Sequence, residues 1–196
     1  MSSESLVTIY IPCRNYGNFL TQSVESVFNQ SYTNWELVII NEASDDNTSE
    51  IAKELCKREP KKTTFIDNKK PLGLQKLANL VLSQANGKYM MRLDADDWLD
   101  ENALLLLVTK LESSSDSGLV FGNYYYTNQE GSVIGVETSF EENVGASLSK
   151  IPPHGACTLF RTRALKTVGG YSEDVNAQDG WDLWYKLSNR IGATSI

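Results

Sequence analysis

A chain of 196 residues with 41% hydrophobic and 22% charged residues is long enough to bury one sizeable core and too short for two ordinary domains, which excludes a disordered or fibrous chain. Its formal net charge of -7, with basic residues scattered along the chain, argues against duplex DNA or RNA as a partner. No run of about 18 apolar residues is present to form a membrane span.

In chain order, residues 6–12 (LVTIYIP) are an apolar, β-rich run ending at a proline and predict a buried strand. Phe19, Leu20, Val24, Val27 and Phe28 then recur at helical spacing over residues 18–30, with Asn18 as the expected cap. Residues 35–40 (WELVII) predict a second strand, 41–47 a polar turn, and 48–58 a helix turning Ile51, Ala52 and Leu55 inward. A third strand is expected at 63–67, a turn at 71–73, and a helix at 74–84 whose end Gly87 marks. This alternation predicts a largely parallel sheet covered by helices.

Residues 88–93 (KYMMRL) predict the next strand, which delivers Asp94, Asp96 and Asp97 at its C-terminal end. In open α/β sheets that edge is where ligands bind. An apolar helix is expected at 101–111, one continuous strand at 118–127 (GLVFGNYYYT) and a hairpin-like turn at 128–131, so the second half reads as mixed. Residues 139–150 show no clear pattern; beyond them come a strand at 158–161, a short helix at 163–168 closed by Gly169 and Gly170, and a helix at 180–188 just after Asp179.

Cys13, Cys56 and Cys157 lie far apart without CxxC spacing, which suits reduced thiols and a reducing compartment. The short polar stretch before the first strand lacks the regions of a signal peptide. A cytoplasmic protein is therefore expected, and contact with the inner face of a membrane that carries an acceptor is compatible with it.

Three carboxylates within four residues repel one another unless a cation or donated hydrogen bonds offset the crowding, and Mg2+ or Mn2+ is the simplest remedy. The alternative is a helix N-terminus, where aspartates cap free N–H groups; Asp97 and Asp100 are expected to serve that end in part. The turn after the second strand holds Glu42, Asp45 and Asp46; a carboxylate there can accept from a base or ribose, yet such residues are also ordinary turn formers. Asp179 precedes an amphipathic helix carrying Trp181, Asp182, Leu183, Trp184 and Leu187, and suits either a general base beside aromatic surface or an N-cap. His154 is the single histidine and cannot supply a His-rich zinc site. It lines a cleft or serves its loop.

Together these stretches resemble the family 2 glycosyltransferases over nearly the whole chain. Residues 7–20 (VTIYIPCRNYGNFL) are similar to the family's opening strand and turn, written VSVIIPTYN, and residues 24–38 to the following helix and strand. Residues 41–48 (NEASDDNT) match its DDGS-TDGT loop, 73–79 (GLQKLAN) the segment beneath the diphosphate, and 93–98 (LDADDW) its DxD-containing motif. Residues 155–171 resemble its second-half signature, and Gln178 with Asp179 falls where the family has Glu-Asp before a D-L-W helix.

The resemblance implies a glycosyltransferase-A fold, an α/β sandwich with a Rossmann-like nucleotide half over residues 1–98, a mixed central sheet and an acceptor-side half over 99–196, shortened at the C-terminus. It implies donor contacts from Pro12, Arg14, Asn15, Glu42, Lys76, Asn79, Asp94 and Asp96, with Glu42 reading the base and Mn2+ or Mg2+ on Asp96 and Asp97. Arg14 stands where tyrosine is common, and stacks on the base or reaches a phosphate. Asp179 becomes the base of an inverting transfer from a nucleotide sugar, UDP-sugar by default, to a glycan or lipid-linked acceptor in polysaccharide synthesis. His154, Gln178 and Trp181 fall on the acceptor side. The rivals are a nucleotidyltransferase, which would need a glycine-rich basic loop where residues 13–17 stand, and a binding module without catalysis.

Overall fold

The computed structural model describes residues 4–137, 157–174, 181–190 and 193–195 of the chain. The first half alternates strand and helix as expected: β1 (Val7–Cys13), α1 (Gly17–Phe28), β2 (Trp35–Glu42), α2 (Thr48–Cys56), β3 (Thr63–Asn68), α3 (Leu74–Gln84) and β4 (Tyr89–Arg92). The second half carries α4 (Ala103–Ser113), β5 (Leu119–Phe121), β6 (Tyr124–Thr127), β7 (Val133–Glu137), β8 (Leu159–Arg161), α5 (Thr162–Thr167), α6 (Trp181–Arg190) and β9 (Ala193–Ser195).

Among the described residues, seven strands form one sheet in the order β3-β2-β1-β4-β8-β5-β9. β1 runs parallel to β2 and β4, and β2 parallel to β3, whereas β8 is antiparallel to both β4 and β5. The sheet is therefore mixed. Chain order reverses between β1 and β4, which opens a crevice at their C-terminal ends, the usual ligand position in such folds.

β1 is buried along its whole length, and its alternation assigns each side chain to one of two cores. Val7, Ile9 and Ile11 pack with Leu20, Val24 and Val27 of α1, Ala52 and Leu55 of α2, and Leu104, Leu107, Val108 and Leu111 of α4. Tyr10 points to the opposite side, among Leu77, Ala78, Val81 and Leu82 of α3, Leu165 of α5, and Leu183 and Leu187 of α6.

Several local expectations are corrected. Asn18 lies inside α1, whose N-cap is Tyr16 with no side-chain cap bond. β2 continues through Glu42, which places that carboxylate on a strand end rather than in a turn. Residues 118–127 form two strands, not one: β5 joins the main sheet, and β6 pairs antiparallel with β7 in a separate hairpin. The break falls at Gly122 and Asn123, residues that favour turns.

Gly87 does not cap α3, whose C-cap is the extended Ala85. Asp97 lies well short of α4, which starts at Ala103, so it does not cap that helix. Buried Gln30 supplies the bond instead: its Oε1 accepts from the Leu104 N–H at 3.0 Å, while its Nε2 donates to the Asp100 carbonyl at 2.6 Å. Asp100 contributes one bond, accepting the Asn102 N–H at 2.9 Å.

Candidate functional site

At the crevice β1 and β2 end nearly together, with Cys13 paired to Asn41, whereas β4 ends at Arg92 opposite Tyr10, three residues short of the end of β1. Past Cys13 the chain turns through exposed Arg14 and through Asn15, which takes a left-handed φ of 59°. Asn15 locks this turn to the loop after β2: its N–H donates to Ser44 Oγ at 3.0 Å, and its Oδ1 accepts the Asp45 N–H at 2.8 Å. The Gly17 N–H donates to Asp46 Oδ2 at 3.0 Å, and a Cβ at Gly17 would lie 2.5 Å from Asn47 Oδ1.

Burial alone would raise the Asp46 carboxyl, but hydrogen bonds from the Thr48 hydroxyl and from the Gly17 and Thr48 backbone hold it below its ordinary value. Asp46 is therefore committed to joining the starts of α1 and α2. Buried Asn41 is likewise structural, donating to Asp67 Oδ1 at 2.8 Å and accepting the Ser44 N–H at 3.0 Å.

Glu42 is also buried, and its carboxylate ties down the segment leading to α3. It accepts from Asn68 Nδ2 at 2.8 Å and from the backbone N–H groups of Leu72 at 2.8 Å and Gly73 at 3.0 Å. The longer arm of glutamate reaches across to this segment, fixing the side wall of the crevice.

β4 delivers the acidic turn. Asp94 is partly exposed, Ala95 is buried, and Asp96 and Asp97 are exposed. Asp94 pairs with Arg92, whose Nε lies 2.9 Å from Oδ1 and whose Nη2 donates to Oδ2 at 3.2 Å. The Arg92 side chain is 6% exposed against 26% for Asp94, so the guanidinium depends on its protein partners while the carboxylate keeps an edge toward the crevice.

Cys13 and Cys157 flank the turn. Burial pushes the Cys13 thiol up, with the charges of Asp46 and Asp96 adding to it, and pushes Cys157 up to about 12, with Asp97 and Asp94 adding to it. Both thiols stay protonated at neutral pH and are unsuited to nucleophilic work. Asp96 and Asp97 are the exposed hard-oxygen donors at this edge and could hold a divalent ion. Among the described residues no three His, Cys, Asp or Glu side chains form a metal cluster; two carboxylates suit an ion that also takes water and phosphate oxygens, as Mg2+ and Mn2+ do.

Pro12 is buried on β1 opposite Ile40, and Lys76 is exposed on the first turn of α3. The Asn79 amide donates to the Tyr171 carbonyl at 2.9 Å and accepts the Tyr171 N–H at 2.9 Å, anchoring the segment after Gly169 and Gly170. Trp181 begins α6. His154, Gln178 and Asp179 lie outside the described residues. Arg92 escaped the sequence reading, although a lone cation ending a buried YMMR strand was a signal for it.

A mixed sheet of this order with an acidic turn at its reversal point defines a glycosyltransferase-A type of fold. The profile described as glycosyl transferase family 2 matches residues 8–169. A Rickettsia bellii protein described as an uncharacterized glycosyltransferase is 30% identical over 191 residues, covering 95% of this chain and 27% of its own. A chondroitin synthase of Pasteurella multocida is 29% identical, covering 93% of this chain and 19% of its own. The chain thus spans about a quarter or less of the length of these relatives.

Among solved structures, the mannosyltransferase PcManGT from Pyrobaculum calidifontis, in complex with GDP-Man and Mn2+, superposes with a TM-score of 0.78 at 21% identity over 100% of this chain and 55% of that one. TarS of S. aureus in complex with UDP gives 0.79 at 18% identity over 97% of this chain and 57% of that one. The chain belongs to glycosyl transferase family 2.

Proposed function

We propose that this chain moves a sugar from a nucleotide-sugar donor, a UDP-sugar first among them, to a hydroxyl of a glycan or lipid-linked acceptor, with inversion at the anomeric carbon. The observation that carries the reading is the meeting of the Asn15 turn, Glu42 and the Asp94–Asp97 carboxylates at the C-terminal ends of β1, β2 and β4. The nucleotide complexes of structural neighbours, with UDP, UDP-GlcNAc and GDP-Man, support it.

On this reading residues 1–98 form the donor half, in which Pro12, Arg14 and Asn15 shape the base side, Glu42 orders the wall, and Lys76 lies on the diphosphate side. Asp94 accepts hydrogen bonds from hydroxyls of the sugar. Asp96 and Asp97 would hold Mn2+ or Mg2+, which when bound supplies positive charge against a leaving diphosphate. Asp179 takes the proton from the acceptor hydroxyl, with His154, Gln178 and Trp181 on the acceptor side. Polysaccharide synthesis fits the chondroitin and poly-beta-1,6-N-acetyl-D-glucosamine synthases among the relatives. No helix among the described residues is long and apolar enough to cross a membrane, and the three cysteines are free; both suit a cytoplasmic setting with contact at the inner membrane face.

The nucleotidyltransferase reading is the weaker one because the N–H groups of Asn15 and Gly17 are bonded to the loop after β2 rather than presented to a triphosphate. A binding module without catalysis shares the donor site and differs at Asp179. Asp96→Ala should weaken metal-dependent nucleotide binding at least about tenfold by calorimetry, the scale of one lost charge-assisted contact. Undiminished binding in the presence of Mn2+ would contradict the metal assignment.

A further inference from the structure

Arg92 is an expensive residue for its position. It sits in β4 opposite Tyr10, in the middle of the main sheet, where a guanidinium is tolerated only if it is paired. Its carbonyl accepts the Cys157 N–H at 2.8 Å, and the next residue, Leu93, donates to the Tyr10 carbonyl at 3.0 Å. Burial raises the phenols of Tyr10 and Tyr171, and the Arg92 charge opposes that rise in both. The Tyr171 backbone is in turn clamped by Asn79 on α3. Arg92 thus stands where β1, β4 and the segments at 157 and 171 meet.

Its guanidinium holds one edge of Asp94 by the Nη2 hydrogen bond and by its charge, while the Asp94 carbonyl accepts the Ser23 hydroxyl of α1 at 3.1 Å. A carboxylate offers about four lone-pair sites. With Nη2 donating to Oδ2 and the guanidinium charge 2.9 Å from Oδ1, the remaining sites are held in a set direction on the exposed side.

We propose that Arg92 is a positioning residue that presents Asp94 to the sugar of the donor, so that it governs affinity for the sugar and not for the nucleotide. This rests on the donor-site reading above. Lysine keeps the charge but loses the planar guanidinium that carries the Nη2 bond to Oδ2, so Arg92→Lys preserves the buried cation while removing the alignment.

The test measures binding of UDP, UDP-GlcNAc, GDP and GDP-mannose with Mn2+ to the wild type, Arg92→Lys, Asp94→Asn and the double variant, each checked for an unchanged circular dichroism spectrum. For the nucleotide that binds, the ratio of nucleotide-sugar affinity to nucleotide affinity should fall about tenfold in Arg92→Lys and in Asp94→Asn. In the double variant it should fall no further, because Arg92 acts through Asp94. An unchanged ratio in Arg92→Lys, with both affinities retained or both reduced together, would overturn the proposal, as would losses that multiply in the double variant. Asp94→Asn keeps the proposal testable if Arg92→Lys does not fold, since an unchanged ratio there removes the residue through which Arg92 acts. A wild type that binds none of the four overturns the donor-site reading itself.

Discussion

Asp179→Asn should lower turnover by about a thousandfold while leaving donor affinity within about twofold, because a general base lowers the barrier of the chemical step and adds little to ground-state binding. The prediction is sharpened by the acid three residues on. Asp182 lies 2.6 Å from Lys186 Nζ across one turn of α6. Burial alone would raise its carboxyl, but the hydrogen bonds from Lys186 and Ser172 hold it below its ordinary value. A carboxylate stabilised in its charged form is a poor proton acceptor near neutral pH. Asp182→Asn should therefore change turnover far less than Asp179→Asn. Single-turnover measurements with saturating donor separate the two, and a large loss in Asp182→Asn with activity retained in Asp179→Asn would reassign the base.

Gly87→Ala should be among the most damaging single-methyl additions to the fold. A Cβ there would lie 2.5 Å from the Thr8 backbone N, 2.5 Å from the Tyr89 carbonyl and 2.7 Å from Thr8 Oγ1. None of these can retreat cheaply: Thr8 and Tyr89 are in paired β1 and β4, and Thr8 Oγ1 accepts the Gly87 N–H at 2.9 Å. The Gly87 carbonyl also accepts the Thr162 hydroxyl at 2.7 Å, coupling the start of α5 to the same point. Overpacking against a rigid backbone costs about 3 kcal/mol or more, or roughly 6 to 12 °C in Tm for a chain of this size. Gly135→Ala, whose Cβ would meet Tyr126 Cδ2 at an ordinary 3.5 Å, is the control and should change Tm little. Equal Tm values for the two variants would contradict this account of Gly87.

The same glycine shows why some of the fold was legible in the sequence and some was not. Strands such as WELVII and helices such as that of α3 announce themselves through period and length, and α3 spans Leu74–Gln84 as expected. Gly87 was visible as punctuation, but its reason, a close approach to β1, is a contact between residues 79 positions apart that no local pattern records. The cap of α4 was missed for the same cause, since Gln30 serves a helix 74 positions away.

The acidic turn was legible because three carboxylates in four residues are unusual chemistry in any context. What stayed hidden was how the chain spends its polar groups: Glu42 on the wall before α3, Asp46 on the helix starts, Asn79 on Tyr171, and Arg92 on Asp94. Motif spacing placed Glu42, Asp46 and Asn79 near one edge, and left Arg92 out. Only the structure distinguishes the ones that build the crevice from those, such as Asp96 and Asp97, that are exposed at it.

The most direct test of the donor site is thermal stabilisation of the wild-type chain by UDP, GDP, dTDP and CMP, each with Mn2+, with Mg2+ and with chelator, because a ligand that binds only the native state raises Tm. The site described here predicts that one nucleotide raises Tm with metal and does so much less with chelator, naming the base as it does so. No shift with any pairing would contradict a working nucleotide-sugar site at the ends of β1, β2 and β4.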